Sequence, residues 1–416
     1  MTVGARRKAV IFAPCLHQEG HLGKHRVDRF IRWLVNESYA VIVIRDGTAD
    51  EEYDQPWGRE IAVRDPFASY RGTPPELARR DSPRKLSGLA RAAGKWVFIP
   101  DSNVFWARAA AKRPSVIEAM RGAAFILSSN PPESAHVGAW LLSRRTRVPH
   151  IVDMRDGWLD EPLKPLLRTS ALHRWLEGRM EARILRDAKS IQVTSDVWKK
   201  LLCDRFPCFA SKTHVLTNGY PKGTELLQSR PPRAARDELL MIHAGRFSDS
   251  DARRTPDLLL QPLLHNLAAQ SSAGVIRLIG ALSETESALI GSFRSRFERI
   301  GWRIECPGRL PRSEVLATLP KADGLLLLSA SYAALPSKLF EYIPTGRPLF
   351  VVTEKGSATW NVCAQLPQAT LVEIGADRGR CDAIREMPYY TKAEFRIPPQ
   401  YREECLAKTF TSVIQS

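Results

Sequence analysis

An amine and a carboxylate lie one helical turn apart near the start of a predicted helix. Pro336 and Ser337 follow an apolar run, where a loop gives way to that helix, and the first N–H groups of a helix are free to bind an anion. Lys338 would then lie beside a phosphate group, and Glu341, on the same helical face, would accept hydrogen bonds from a pair of hydroxyl groups. The alternative interpretation is structural: Ser337 is a plain N-cap, and Lys338 and Glu341 form a surface ion pair.

The elements that must position these side chains follow an alternating pattern. Short apolar runs alternate with longer amphipathic stretches, which is typical of a parallel sheet wrapped by helices. Strands are predicted at 9–13, 40–44, 124–128, 150–153, 190–194 and 214–217, and again at 239–243, 275–279, 303–306, 324–329 and 348–352. Residues 45–115 fit this alternation poorly. The pattern predicts an α/β chain with two Rossmann-like, doubly wound parallel-sheet domains.

A stretch rich in proline and charge separates the two alternating halves. We therefore expect an N-terminal domain over residues 1–220, a linker over 221–237 and a C-terminal domain over 238–397. Residues 398–416 predict a terminal helix that can pack back on the N-terminal domain.

The charge is distributed unevenly along the chain. The formal net charge is +16, and roughly 36 Lys and Arg against 24 Asp and Glu precede Tyr220. A basic half can bind nucleic acid, an anionic membrane surface or phosphorylated ligands, and charge alone does not choose between them. We exclude nucleic acid because the chain lacks the interleaved aromatics and known modules of such binders.

The sequence also predicts a compartment. The seven cysteines are odd in number and scattered, with no CxxC pair, as expected of reduced thiols in a cytoplasmic protein. No run of about 18 apolar residues occurs, so any membrane contact is expected to be peripheral, on the inner face of the plasma membrane.

One long segment resembles a known family. The run 335–349, LPSKLFEYIPTGRPL, closely resembles the donor-binding segment of the retaining, family 4-like GT-B glycosyltransferases that build bacterial surface glycans. Further motifs follow the order of that family: SSNPPE (128–133), VDMRDGW (152–158), NGY (218–220), HAGRF (243–247) and PGRL (307–310). The resemblance implies the GT-B fold, in which two domains face a cleft. It also implies transfer of a sugar from a nucleotide-diphosphate donor to a glycan, lipid-linked or small-molecule acceptor.

The resemblance assigns a set of donor-binding residues: Arg246, Arg254, Arg309, Leu310, Ser337, Lys338, Leu339 and Glu341. Arg246 and Arg254 occupy the positions that contact the donor phosphates, to which Arg is suited. The second position is more often Lys in the family, and the neighbouring Arg253 is an alternative to Arg254. The backbone of Arg309 and Leu310 would line the slot for the base.

Candidates for the catalytic and acceptor side come from the N-terminal half. Asp153 and Asp156 flank Arg155 at the predicted carboxyl end of a strand, the edge where open α/β sheets bind ligands. We predict Asp156 and His21 as the catalytic pair, and the alternative for Asp156 is an ion pair with Arg155. The remaining acceptor-side predictions are Gly23, Arg26, His136 and Asp153.

Two features depart from the family pattern or compete with it. The family often carries a second glutamate eight residues before Glu341, where this chain has Ala333. Asp249 and Asp251 form a DxD pair, which binds a metal diphosphate in another transferase fold. We expect these two to belong to a loop, and we expect no metal or other cofactor, since Lys and Arg already supply positive charge for the diphosphate.

Two alternatives to a transferase remain at this point. Ala333 and the lack of an evident nucleophile or base also fit a catalytically silent homologue that acts as a binding scaffold in polysaccharide assembly. A nucleotide-sugar epimerase of the same fold is the other alternative.

Overall fold

A computed structural model describes residues 6–14, 16–17, 23–66, 98–160, 170–220, 238–248, 253–269, 272–375 and 397–415 of the chain. The candidate His21, the predicted linker 221–237 and the Asp249–Asp251 pair lie outside the described residues.

The chain forms two compact units. The first comprises Met1–Thr194, Lys199–Val215 and Phe410–Ser416, and the second comprises Ser195–Trp198 and Leu216–Thr409. The last seven residues therefore return to the first unit, although the rest of the final helix is assigned to the second.

The described part of the first unit contains an eight-stranded sheet in the order β3-β4-β2-β1-β5-β6-β7-β8. The strands are β1 Lys8–Phe12, β2 Ala40–Gly47, β3 Glu51–Gln55, β4 Gly58–Arg64, β5 Ala123–Ser129, β6 His150–Met154, β7 Ser190–Val193 and β8 Thr213–Val215. Neighbouring strands are parallel except for the β3–β4 pair. The sheet edge at β3 thus departs from the all-parallel expectation.

The β3–β4 hairpin lies in the region that the sequence pattern did not resolve. The residues of β3 read EEYDQ and almost all are exposed, so this edge strand carries no apolar alternation. Gly58, the first residue of β4, has a φ of +147°, and a Cβ there would lie 2.1 Å from the carbonyl oxygen of Val41 in β2. The hairpin therefore depends on a glycine where two backbones approach closely.

The described part of the second unit contains a six-stranded sheet in the order β11-β10-β9-β12-β13-β14. Its strands are β9 Leu239–Ala244, β10 Gly274–Ile279, β11 Trp302–Gly308, β12 Gly324–Ser329, β13 Leu349–Thr353 and β14 Ala369–Glu373, all parallel. This is the doubly wound order 3-2-1-4-5-6, whose direction reverses between β9 and β12. Ligands of open α/β sheets bind outside the carboxyl ends of the strands at such a switch point.

Both faces of the second sheet are covered. Leu326 and Leu328 of β12 belong to one apolar core, whereas Leu325 and Leu327 belong to the core on the other face. Because alternate side chains of a strand point to opposite faces, a strand buried on both sides reads as a continuous apolar run. The doubly covered parallel sheet confirms the predicted fold class.

Helices occupy the connections between the strands. In chain order they are α1 Gly23–Asn36, α2 Val104–Ala110, α3 Pro114–Ala119, α4 Ser134–Thr146, α5 Ala171–Asp187, α6 Asp196–Arg205, α7 Pro256–Ala268, α8 Glu284–Glu298, α9 Arg312–Thr318, α10 Leu339–Tyr342, α11 Ala358–Cys363 and α12 Glu403–Gln415. Of the helices in the described residues, none has the length and apolar character that a bilayer crossing demands.

The final helix is held in the first unit by an aromatic cluster. Phe410 of α12 is fully buried, and its ring centroid lies 5.0 Å from that of Phe30 and 5.6 Å from that of Trp33, both on α1. Tilted aromatic pairs at this separation add to the free energy gained by burying the rings. The C-terminal end of the chain is thus part of the core of the first unit.

We predict that Phe410→Ala lowers the free energy of unfolding by about 3–5 kcal/mol, because it leaves a cavity between α1 and α12. Urea unfolding followed by circular dichroism measures the change. Lys408→Ala, on the exposed side of the same helix, is the matched control and should change stability by no more than about 0.5 kcal/mol. Equal effects of the two variants would show that Phe410 does not anchor the helix.

Candidate functional site

The loops that follow β9, β10 and β11 pack closely against one another in the second unit. The N–H of Gly245 donates to Ile279 O at 2.7 Å, and the N–H of Gly280 donates to Gly308 O at 2.9 Å. Gly245 has a φ of +109°, and a Cβ on Gly280 would lie 2.6 Å from Gly245 O. Glycine is therefore required at this crossing, and it brings Gly245 and Arg246 to the carboxyl edge of the sheet.

Lys338 lies directly beside Gly245. A Cβ at Gly245 would lie 3.0 Å from Lys338 Nζ, so the bare glycine backbone makes room for the amine. Lys338 Nζ is 3.5 Å from His243 Nε2, at the end of β9. Lys338 thus lies at the switch point of the sheet, as expected for a residue that binds a ligand there.

The hydrogen bonds of His243 fix how it faces the amine. His243 Nδ1 lies 3.1 Å from Leu326 O, and because a carbonyl can only accept, Nδ1 carries the proton. The ring is buried and stacks on Phe247 with centroids 4.4 Å apart. Burial and the positive charge of Lys338 hold the pKa of His243 well below its usual value, so the ring is neutral and its Nε2 accepts from Lys338.

The electrostatic environment of Lys338 is unfavourable to its charge. Burial is the largest cause that lowers its pKa, the nearby Arg254 lowers it further, and Glu341 opposes both, which leaves a pKa of about 7. Arg254 itself is 8% exposed. An anion that binds beside both cations would offset their mutual repulsion and favour the protonated form of Lys338.

Glu341 pairs with Arg312 and not with Lys338. Its Oε1 accepts from Arg312 Nη2 at 2.6 Å, and among the described residues Arg312 is its ion-pair partner. Burial raises the pKa of Glu341, while Arg312 and Lys338 lower it. Lys338 and Glu341 form no ion pair with each other, so the structural alternative of a surface pair is wrong.

The helix begins later than the sequence predicted. Helix α10 spans only four residues, and its N-cap is Lys338 rather than Ser337, whose side chain is exposed. The N–H groups of Leu339 and Phe340 already donate to Pro336 O and Ser337 O in a tight turn. The prediction that the helix offers free N–H groups here is therefore wrong for Leu339 and Phe340. The charge of Lys338 remains the main attraction for an anion.

The other predicted donor residues surround the same edge. Arg246 is half-buried in the loop after β9. The guanidinium of Arg253, the predicted alternative to Arg254, donates to Ala330 O at 3.1 Å. Arg309 is exposed and Leu310 is half-buried, directly after Gly308 at the end of β11. The predicted donor set thus clusters at the carboxyl ends of the strands, although its contacts with a ligand stay a prediction.

Two residues that the sequence reasoning did not single out shape this site. His243 was recognised only as part of a motif, and Arg312 was not considered because an arginine at the start of a surface helix carries no distinguishing pattern. Ala333 is buried, and its carbonyl oxygen accepts from Ser195 Oγ at 2.7 Å. This position supplies a backbone contact where the family often has a carboxylate.

In the first unit, two predicted acceptor-side residues form a buried ion pair. Arg26 Nε and Nη2 donate to the two carboxylate oxygens of Asp153 at 2.7 and 2.6 Å, and Ser129 Oγ donates to the same carboxylate at 2.6 Å. The exposed fractions of the side chains are 4% and 0%. Bidentate geometry of this kind holds α1 on the carboxyl end of β6. A direct acceptor contact by either residue stays untested.

A second buried cluster lies beside this ion pair. Ser128 Oγ lies 2.7 Å from His136 Nδ1 and 2.7 Å from His150 Nε2. Burial lowers the pKa of His136 to about 4 and holds that of His150 well below its usual value, so both rings are neutral. His136 has no exposed surface, and nothing in the sequence distinguished His150 from other residues of a buried strand.

The remaining first-unit candidates are more accessible. Asp156 is about one-third exposed, and its Oδ2 accepts from Arg155 Nη2 at 2.9 Å. The carbonyl oxygen of Asp156 accepts from Asn130 Nδ2 at 2.9 Å, which ties the loop to the end of β5. Gly23 is the buried first residue of α1. The ion pair proposed as the alternative role of Asp156 is present, and a catalytic role stays a prediction.

We predict that Asp153→Ala lowers the free energy of unfolding by about 3–5 kcal/mol, because it leaves the Arg26 guanidinium buried without its counter-charge. Chemical denaturation measures the loss. Asp156→Ala removes a neighbouring carboxylate from a more exposed pair and should cost no more than about 1 kcal/mol. A small loss for Asp153→Ala would contradict the structural role of the ion pair.

We also predict that the amine of Lys338 titrates with a pKa of about 7, far below its usual 10.5. NMR of the lysine side-chain carbons, assigned with Lys338→Met, measures it. Arg254→Gln should raise the pKa because it removes the neighbouring positive charge, whereas Arg299→Gln, at the exposed end of α8, should not change it. An amine that titrates near 10.5 would contradict the described environment.

Known proteins that are similar to this chain include glycosyltransferases and proteins that contain a related domain. The Glycosyl transferase 4-like domain family matches residues 23–219. No curated protein matches the chain. Among solved structures, the chain is similar to a glycosyltransferase from Rickettsia africae, with 10% identity, a TM-score of 0.60, and coverage of 99% of this chain and 94% of that chain.

Two further similarities extend over nearly the whole chain. The α,α-trehalose 6-phosphate synthase from Burkholderia multivorans has 14% identity and a TM-score of 0.63, over 99% of this chain and 98% of that chain. HepE from Anabaena, solved in complex with UDP-glucose, has 13% identity and a TM-score of 0.57, over 98% of this chain and 99% of that chain. At such low identity these similarities establish the fold alone. The chain therefore has the GT-B fold of glycosyltransferases, and its residues 23–219 match the Glycosyl transferase 4-like domain.

Proposed function

We propose that this protein is a glycosyltransferase that binds a nucleotide-diphosphate sugar in its second unit and transfers the sugar to a glycan, lipid-linked or small-molecule acceptor. The observation that carries the proposal is the position of Lys338. Its amine lies against Gly245 and His243 at the switch point of a doubly wound sheet, with Arg254 nearby.

The diphosphate is the ligand that best satisfies this arrangement. Lys338 is half-charged near neutral pH because burial and Arg254 disfavour its protonated form. Two phosphate groups beside the amine would reverse that balance and raise its pKa, so binding would take up a proton. The missing side chain at Gly245 lets the phosphate oxygens approach both the amine and the backbone.

The ribose is proposed to bind Glu341. Burial raises the pKa of Glu341, whereas Arg312 and Lys338 favour its ionised form, in which the carboxylate is an acceptor only. Oε1 already accepts from Arg312 at 2.6 Å, which fixes the orientation of the carboxylate. Its remaining lone pairs can accept from the two ribose hydroxyls, and Arg309 and Leu310 would border the base.

Solved structures of the same fold support a uridine nucleotide as the first donor to test. HepE was solved with UDP, with UDP and glucose, and with UDP-glucose, and a trehalose-phosphate synthase from Burkholderia xenovorans is described as UDP-forming. The resemblance of the donor segment to a retaining family supports retention of anomeric configuration. The positive charge that Lys and Arg side chains offer to the diphosphate supports independence from metal. Asp156 and His21 remain the proposed catalytic residues, with Gly23, Arg26, His136 and Asp153 on the acceptor side.

We predict that UDP or a UDP-sugar stabilises the wild-type protein in a thermal-shift screen against GDP, TDP and ADP, because a ligand that binds only the folded state raises its melting temperature. Lys338→Met should weaken the selected nucleotide about 10- to 100-fold in calorimetric titration, since it removes a charged contact. Lys321→Met, at an exposed lysine of the same unit, is the matched control and should bind as wild type does.

Glu341→Gln provides a test that depends on the ribose. Wild type should prefer the ribonucleotide over its 2′-deoxy counterpart, and Glu341→Gln should lose most of that preference, whereas Glu314→Gln, on the exposed face of α9, should keep it. Failure of every nucleotide to bind, or full affinity in both Lys338→Met and Glu341→Gln, would refute the proposed donor site.

Turnover distinguishes the transferase from its alternatives. With the correct acceptor, free nucleotide should be released, and EDTA should leave the rate unchanged. Binding without turnover in the presence of acceptor would indicate a catalytically silent homologue, and a product in which the altered sugar is still attached to its nucleotide would indicate an epimerase.

A further inference from the structure

Helix α5 of the first unit buries two carboxylates while it exposes three large apolar side chains. Its inner face buries Glu177 and Glu181, which are 1% and 0% exposed. Its outer face exposes Leu172, Trp175 and Leu176 by 55%, 54% and 38%. Surface helices normally expose the charged groups and bury the apolar ones, so exposed apolar side chains that lie together indicate an interaction surface.

The buried carboxylates are held by specific partners, so the orientation of the helix is well determined. Glu177 Oε2 accepts from Trp158 Nε1 at 3.1 Å, and Glu181 Oε1 accepts from Arg205 Nη2 at 2.9 Å. Rotating the helix to bury Trp175 would move both carboxylates away from these two donors and break both hydrogen bonds. The outward position of the apolar residues is thus a fixed property of this helix.

The exposed apolar residues continue directly into a row of arginines. Leu172, Trp175, Leu176, Arg179, Arg183 and Arg186 follow helical spacing and fall on one face. At 1.5 Å per residue this face is roughly 21 Å long. Of the carboxylates in α5, only Asp187 is exposed, so the face is strongly basic.

Aromatic rings and guanidinium groups are interleaved along this face. The guanidinium of Arg179 lies 4.9 Å from the centre of the Trp175 ring. Trp140 of α4 has Arg144 and Arg183 over its ring at 5.1 and 5.9 Å. A pocket between α4 and α5 is lined by three of these arginines, by Trp140 and by Met180, Ala182 and Ile184. Because Trp140 Nε1 donates to Asp187 Oδ2 at 2.8 Å, the arginines are the groups that would bind a phosphate.

We propose that the outer face of α5 docks on an anionic lipid surface, with Leu172, Trp175 and Leu176 in the interface and the arginines against lipid phosphates. Trp and Leu beside Arg is the combination that binds the interfacial zone of a bilayer, where the ring enters the headgroup layer and the charge meets anionic lipid. Each basic residue near an anionic leaflet strengthens binding roughly fivefold, so the three arginines of this face and Arg144 together favour an anionic surface. This surface is independent of the proposed donor site.

Vesicle sedimentation with the full-length protein tests the proposal. We expect binding to vesicles of phosphatidylcholine with phosphatidylglycerol, and at least tenfold weaker binding to phosphatidylcholine alone. The double variant Leu172→Ser with Trp175→Ser should weaken binding to the anionic vesicles at least tenfold. Arg179→Gln with Arg183→Gln should do the same, and should also remove most of the dependence on salt.

Matched controls separate the surface from general effects of hydrophobicity and charge. Leu316→Ser, 37% exposed on α9, and Arg299→Gln, at the end of α8, remove similar groups from the second unit and should leave vesicle binding unchanged. The proposal is overturned if wild type binds both vesicle types equally, or if the α5 variants bind as tightly as wild type. It is also overturned if the protein is a dimer that Trp175→Ser dissociates, since the face would then join two copies of the chain.

Discussion

The contact between Lys338 and His243 is the interaction on which the candidate site depends. It joins residues 95 positions apart, at a crossing where two loops approach so closely that a side chain on Gly245 would meet the amine. Because Leu326 O fixes the proton of His243 on Nδ1, the opposite nitrogen can only accept from Lys338. Among the residues that the structure describes, no carboxylate forms an ion pair with this amine.

The two units treat their buried charges in opposite ways. In the first unit, Arg26 and Asp153 satisfy each other in a bidentate pair, and the neighbouring histidines are neutral. In the second unit, Lys338 and Arg254 lie near each other, and Glu341 pairs with Arg312. A saturated pair has no charge left for a ligand, whereas adjacent cations with an offset carboxylate attract an anionic ligand. This contrast favours the second unit as the place where a diphosphate binds.

Much of the fold could be predicted because parallel strands buried on both faces read as apolar runs, as β12 does. The hairpin β3–β4 could not, since the exposed edge strand Glu51–Gln55 has no apolar alternation. Lys338 and Glu341 were found by helical spacing, but their partners His243 and Arg312 come from other loops, and no local pattern encodes that proximity. The face of α5 was missed for a similar reason: hydrogen bonds from Trp158 and Arg205 determine which side of the helix is buried.

A crystal structure of the full chain with a bound UDP-sugar tests the central claim most directly. The account predicts the diphosphate beside Gly245, within hydrogen-bond distance of Lys338 Nζ, and the ribose hydroxyls on the carboxylate of Glu341. A nucleotide bound at another edge of the sheet, with Lys338 and Glu341 unchanged and out of contact with it, would contradict the account.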